Sequence, residues 1–296
     1  MSVASSTGAS PTGASPTGAS PEPVAAPPSP RARAEAVLEV LGAPLKIVLG
    51  YLGDHATMLG QSIAWMFRPP FRLRLFLEQM EFVGVGSLPI IILVGFFSGA
   101  VAAQQAIAAL EIFGQERFVG ATVGLSLAQE LAPVFTALMI TARAGSGMAT
   151  ELGSMRITEQ IDALTTFAVN PVQYLVTPRI VATVIMMPIM TMVFNIVGLL
   201  GAYLYSIYLK DIDLGQFIEM YRYWTDPKDY IIGGIKAFVF GGALSLAACY
   251  QGFNIRGGAK EVGLATTRAV VAGSVSVLIL DYFLIDAFHM LWPAAK

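Results

Sequence analysis

The chain has 296 residues, of which 55% are hydrophobic and only 13% carry a charge. An average soluble domain is about a quarter charged, so this balance excludes an ordinary soluble domain and indicates an integral membrane protein. The formal net charge of -2 gives no sign of a nucleic-acid partner. Cys249 is the only cysteine, which excludes an intramolecular disulfide and a cysteine-based zinc site.

The N-terminal segment has low sequence complexity. Residues 7–21 are three copies of the pentapeptide TGASP, and proline and alanine dominate up to Pro30. Such a composition buries too little apolar surface to offset the entropy lost on ordering. We therefore predict that residues 1–34 form a disordered tail. The tail lacks the basic start and apolar core of a secretory signal.

Residues 35–82 alternate apolar stretches with charged side chains. Within them, WMFRPPFRLRLFLEQMEF, from Trp65 to Phe82, places arginines and aromatic residues at helical spacing. This pattern is typical of an amphipathic helix that lies along a membrane surface. We predict that residues 35–82 form a cytoplasmic, interfacial helical region.

Apolar runs long enough to cross a bilayer, which takes about 20 residues, fill the rest of the chain. They cover residues 88–110, 118–141, 180–209, 230–253 and 269–292. The sequence therefore predicts an all-α integral membrane protein with five spans in a domain at 83–296. Gly95 and Gly99, four residues apart in the first run, fit close packing between helices.

Basic residues are unequally shared between the two sides of these spans. With a cytoplasmic N-terminus, twelve lysines and arginines fall on the cytoplasmic side and five on the other. The positive-inside rule therefore predicts that the N-terminus is cytoplasmic and the C-terminus is outside.

The segment ARAGSGMATELGSMRITEQIDAL, residues 142–164, is unusually polar for a link between two spans. Such a link needs only about two to eight residues. A helical projection gives it an apolar face and a charged face. The first carries Ile157, Ile161 and Leu164, and the second Arg156, Glu159 and Asp162 with Leu152 and Met155 among them. We predict a helix at about 150–166 that docks a soluble partner; a helix resting on the membrane is the alternative.

The sequence lacks recognisable motifs for nucleotide binding, metal binding or catalysis. GFNIRGGAK, residues 252–260, lacks the GK[ST] ending of a phosphate loop, so another subunit must hydrolyse any ATP used. His55 and His289 are isolated, which predicts no metal site and no Ser-His-Asp arrangement. We predict a non-catalytic subunit with no cofactor of its own.

Charged residues inside the apolar runs are the candidates for function. A charge near the bilayer centre costs about 2.5–3.5 kcal/mol on insertion scales, so it usually faces the protein interior. Glu130 and Asp281 lie deep in their runs, whereas Lys236 lies near an end and could extend to water. These residues either pair to hold helices together or line a cavity for an amphipathic substrate, and the pattern suits an anionic head.

The sequence SLAQELAPVFTALMITARAGSGMATELGSMRITEQIDALTTFAVNP, residues 126–171, resembles the signature region of the MlaE/YrbE permeases. The likeness continues through TPRIVA at 177–182 and TTRAVV at 266–271. The resemblance implies a homodimer with an interfacial N-terminal helix and five spans per subunit, in a bacterial inner membrane with a periplasmic C-terminus. It also implies a separate ABC ATPase that binds ATP and Mg. The cargo would be phospholipid, moved between that membrane and a periplasmic Mce-domain protein to maintain outer-membrane lipid asymmetry.

The resemblance also suggests roles for individual positions. Glu130 and Lys236 match polar residues of a lipid cavity at the dimer interface, whereas Gln129 stands where some relatives have arginine. Arg143 matches the family's R-A-G-S. The candidate transport residues are Glu130, Gln129, Lys236, Gln104, Asp281 and Arg143. The candidate residues for coupling to the ATPase are Glu151, Met155, Arg156, Glu159, Gln160 and Asp162.

Two other classes of function remain open at this stage. A proton-coupled secondary transporter of an amphipathic solute would use Glu130 and Asp281 as proton carriers. A non-transporting membrane scaffold would tolerate the neutralisation of both acids. The polar segment at 142–164 is unexplained by either alternative.

Overall fold

The computed structural model describes residues 30–66, 68–69 and 72–291. The predicted tail at 1–34 lies outside these residues except for 30–34, which begin the first helix. The described residues form helices, joined by short turns, and contain no strand. The α-helices are α1 Pro30–Met66, α2 Leu73–Val83, α3 Leu88–Glu111, α4 Val119–Ser126, α5 Ala132–Ile140, α6 Ser146–Ile157, α7 Gln160–Thr166, α8 Thr177–Tyr208, α9 Leu214–Trp224, α10 Pro227–Phe253 and α11 Ala259–Leu291.

The chain divides into two units at Gly50. In the first unit, the described residues are the beginning of α1. The second unit starts at Tyr51 and contains the rest of α1 and all the other helices. All contacts reported below lie within this second unit.

Within the described residues, five helical stretches are long and apolar enough to cross a membrane. They are Leu73–Glu111, Glu116–Ile157, Val172–Tyr208, Pro227–Phe253 and Ala259–Phe288. The predicted all-α architecture with five spans is therefore confirmed. The second stretch is longer than predicted, because α4, α5 and α6 follow one another through π-helical turns at Leu127–Leu131 and Thr141–Gly145.

Helix α8 lies at the centre of the bundle, packed against α3 on one side and α10 on the other. Glycines allow α3 and α8 to approach closely. A Cβ atom on Gly99 would overlap the backbone of Gly198, and one on Gly201 would overlap the carbonyl of Phe96. The close packing predicted from Gly95 and Gly99 is confirmed.

The prediction of one amphipathic helix from Trp65 to Phe82 is wrong. Helix α1 ends at Met66, and α2 begins at Leu73. Two consecutive prolines at 69 and 70 explain the break, because proline lacks an amide hydrogen and disfavours helical conformation in the residue before it. A single 3₁₀ turn, Val85–Ser87, then separates α2 from α3 within the first long stretch.

The prediction of one helix at about 150–166 is also wrong. Helix α6 ends at Ile157, and α7 begins at Gln160 after Glu159 adopts a left-handed φ of 59°. Because α6 continues the second span, Leu152 faces the bundle and is fully buried, not on the outer face. Leu152 and Ile161 belong to the same apolar cluster, so the turn folds α7 back against the end of the bundle.

Candidate functional site

An ion cluster joins three spans inside the membrane domain. The Lys236 ammonium of α10 lies 2.7 Å from a carboxylate oxygen of Glu130 and 3.2 Å from one of Asp281 on α11. Its side chain is only 1% exposed. The expectation that Lys236 extends to water is therefore wrong, because two carboxylates hold its ammonium in the interior.

A π-helical turn, Leu127–Leu131, places Glu130 in this cluster. Pro133 follows it, and a proline there cannot donate a hydrogen bond to the carbonyl of Gln129. The wider turn accommodates the proline ring, and π turns of this kind are frequent at functional sites. Gly233 of α10 packs directly on the carbonyl of Ala128, which brings α10 close to the turn.

Gln129 has a partner that sequence reasoning missed. Its side-chain amide donates a 2.7 Å hydrogen bond to Asp229 in the first turn of α10. The other carboxylate oxygen of Asp229 accepts the backbone N–H of Asp226 at 2.7 Å, completing a capping box. The sequence Asp226-Pro-Lys-Asp229 carries the signal for this box, a capping acid followed three residues later by a second acid.

Arg143 lies apart from this cluster. It belongs to the second π-helical turn, about 20 Å along the helix axis from Glu130 at 1.5 Å per residue. Its guanidinium donates to the carbonyl of Phe82 at 2.6 Å and to the hydroxyl of Ser87 at 3.3 Å. Arg143 therefore ties the second span to the junction between α2 and α3.

Gln104 is also separate from the ion cluster. It lies exposed on α3, and no hydrogen bond within the described part of the chain joins it to Lys236 or its partners. The structure thus brings together four of the candidate transport residues, Glu130, Gln129, Lys236 and Asp281, through adjacent spans and the start of α10.

Side chains brace the break between α6 and α7. Arg156, before the break, forms a 2.7 Å ion pair with Asp162, after it. Gln160 donates to the hydroxyl of Thr158 at 3.1 Å. Glu159 stands exposed at the turn itself. These four candidate coupling residues therefore lie on one short turn at the end of the bundle.

The other two candidate coupling residues contact the helical bundle. Met155 packs partly buried against the apolar cluster that holds Leu152 and Ile161. Glu151 forms a 2.8 Å ion pair with Arg179 near the start of α8. The sequence analysis named Glu151 only as a coupling contact and missed its partner Arg179, which lies on another helix.

Comparisons with known proteins agree with this architecture. The family model described as Permease MlaE matches residues 76–286. A probable ABC transporter permease protein of Rickettsia felis is 40% identical over 237 residues, covering 80% of this chain and 92% of that protein. The intermembrane phospholipid transport system permease protein MlaE of Haemophilus influenzae is 38% identical over 213 residues, covering 71% and 81%. The chloroplastic protein TRIGALACTOSYLDIACYLGLYCEROL 1 of Arabidopsis thaliana is 32% identical over 229 residues, covering 77% and 65%.

Proposed function

The chain belongs to the MlaE permease family, and from this premise we propose that it is the membrane subunit of an ABC transporter that moves phospholipids. In this proposal two copies work with two ABC ATPase subunits, which bind ATP and Mg and carry out hydrolysis. Lipid passes between the inner membrane and a periplasmic Mce-domain protein, in support of outer-membrane lipid asymmetry. The permease itself makes and breaks no covalent bond.

The observation that carries this proposal is the exposure of Glu130. Its side chain is 37% exposed on the surface of this chain, although it lies deep in the second span. An ionised carboxylate facing hydrocarbon is costly, so such a side chain normally faces a polar cavity or another subunit. A lipid cavity between two copies of the chain would provide such a polar environment.

The turn between α6 and α7 supports the proposed coupling to an ATPase. It combines exposed Glu159 with the Arg156–Asp162 ion pair, and both flanking helices are anchored in the bundle. A partner that moved this turn would pull on the end of the second span. The positive-inside count favours a cytoplasmic position for the turn, where ATP is available.

Native mass spectrometry of the tagged chain, purified in mild detergent from its own host, tests the assembly. We expect two permease copies, two ATPase subunits and bound phospholipid. The purified complex in vesicles should then transfer phospholipid to an Mce-domain acceptor only when ATP is present. Transfer that needs no ATPase but follows a proton gradient would replace the proposal with the proton-coupled alternative, and no transfer under either condition would contradict both.

A further inference from the structure

The ion cluster around Lys236 carries more negative than positive charge. Glu130 and Asp281 share the single ammonium of Lys236, which leaves one negative charge in excess when both acids are ionised. Asp229 lies about 10 Å from Lys236 along the axis of α10 at 1.5 Å per residue, beside exposed Lys228, and its contact from the second span is the neutral amide of Gln129. The described residues of this site therefore sum to a negative charge inside the membrane domain.

The accessible part of the cluster is also its acidic part. The Lys236 side chain is 1% exposed, whereas Glu130 is 37% exposed and Asp281 is 17% exposed. A molecule that reaches this site meets carboxylate oxygens, with the ammonium behind them. The expectation of an anionic headgroup was drawn from the residue types alone. It assumed that the Lys236 ammonium could reach the ligand, whereas the structure buries that ammonium.

Basic residues at this end of the spans lie farther out. Lys228 is in the first turn of α10, about 12 Å along the axis from Lys236 at 1.5 Å per residue, and is exposed. Arg222 lies exposed near the end of α9. Neither residue belongs to the cluster formed by the Lys236 contacts.

We propose that this site selects phospholipids whose headgroup carries an ammonium group, such as phosphatidylethanolamine, over anionic phospholipids such as phosphatidylglycerol. The ammonium donates charge-assisted hydrogen bonds to the exposed oxygens of Glu130 and Asp281 and offsets the excess negative charge. Phosphatidylglycerol carries the same phosphate without an ammonium group, so its net negative charge is repelled by these oxygens. The inference rests on the proposed function, since it names the cargo of that transport site.

A competition between the two lipids tests this selection. The whole complex is reconstituted in vesicles that contain equal amounts of phosphatidylethanolamine and phosphatidylglycerol, and both the bound and the transferred lipids are quantified by mass spectrometry. We expect an enrichment of phosphatidylethanolamine of about three- to fivefold, the range that a partly exposed ion pair supports. Equal amounts of the two lipids, or an excess of phosphatidylglycerol, would overturn the inference while leaving lipid transport intact.

Gln129→Arg supplies the decisive variant, because it places a cation against Asp229 and offsets the negative charge of that carboxylate. We expect the ratio to move toward phosphatidylglycerol, whereas Gln129→Met, which adds no charge, should keep the ratio of the unmodified chain. Asp229→Asn removes the same negative charge by another route and replaces Gln129→Arg if that variant fails to fold. An unchanged ratio in both charge variants overturns the inference, and ATP-driven transfer of neither lipid by the unmodified complex overturns the proposed function with it.

Discussion

Glu151 and Arg179 form a 2.8 Å ion pair that connects the end of the second span to the start of the third. The Arg179 side chain is 4% exposed, whereas that of Glu151 is 51% exposed. Leu175 contributes a backbone carbonyl that accepts a further 2.7 Å hydrogen bond from the guanidinium. Glu151 therefore compensates a buried charge and links α6 to α8, the central helix of the bundle.

Removal of either member of this pair should destabilise the chain more than removal of both. Glu151→Ala leaves a buried guanidinium without its carboxylate, at a cost of about 2–4 kcal/mol, the lower range for broken buried pairs because Glu151 is half exposed. The double variant Glu151→Ala with Arg179→Met should recover part of that loss. Thermal unfolding of the four proteins in detergent measures the interaction, and additive changes would contradict a direct role for the pair.

Replacement of Lys236 should be among the most damaging changes in the membrane domain. Lys236→Met leaves Glu130 and Asp281 together without the shared ammonium, which should cost about 3–5 kcal/mol and abolish lipid transfer. The matched control is Lys228→Met, an exposed lysine of the same helix. Comparison of their thermal midpoints checks the prediction, which fails if the two variants are equally stable.

Two neighbouring glycines of α10 should respond oppositely to alanine. A Cβ atom on Gly233 would overlap the carbonyl of Ala128, whereas one on Gly234 meets no atom within 4 Å. Gly233→Ala should therefore destabilise the chain by about 1–3 kcal/mol through overpacking. Gly234→Ala should stabilise it by about 0.5 kcal/mol, since alanine loses less backbone freedom on folding. Chemical denaturation in mixed micelles distinguishes the two, and equal effects would refute the close contact.

Charge reversal at the turn between α6 and α7 should separate folding from coupling. Glu159→Arg alters an exposed residue, so we expect the thermal midpoint to remain nearly unchanged. In the proposed function the same change should prevent the ATPase from copurifying and should stop ATP-driven lipid transfer. Glu116→Arg, an exposed reversal at the other end of the same span, is the control. Survival of both ATPase binding and transfer in Glu159→Arg would rule out a coupling role for this turn.

Sequence patterns predicted the helices better than the contacts between them. Apolar run length identified all five spans, and the cost of membrane charge singled out Glu130, Lys236 and Asp281. The ion cluster forms through contacts of Lys236 with Glu130, which is 106 positions away in the chain, and with Asp281, which is 45 positions away. Local periodicity does not encode contacts over such distances. The same limit explains Glu151, whose partner Arg179 lies on another helix.

The faces of the second span could not be predicted for a different reason. A helical projection assumes a constant 3.6 residues per turn, and the π-helical turns at Leu127–Leu131 and Thr141–Gly145 break that assumption. The projection also treated residues 152–164 as one continuous helix, although the left-handed turn at Glu159 divides them, so Leu152 was assigned to the charged outer face when it is fully buried. The capping box of Asp226 and Asp229, by contrast, could have been recognised from spacing alone.

The π-helical turns make the number of residues in the second span important. A π turn holds one more residue than the α-helical turn it replaces, and one residue rotates a helix by about 100°. Deletion of a single residue within Leu127–Leu131 would let the span relax to a plain α-helix and turn Glu130 relative to everything that follows. The helix would stay apolar and long enough to cross the bilayer, yet Glu151 and Glu130 could no longer face their partners at the same time. The second span therefore tolerates substitutions along its lipid-facing surface far better than a change of one in its residue count.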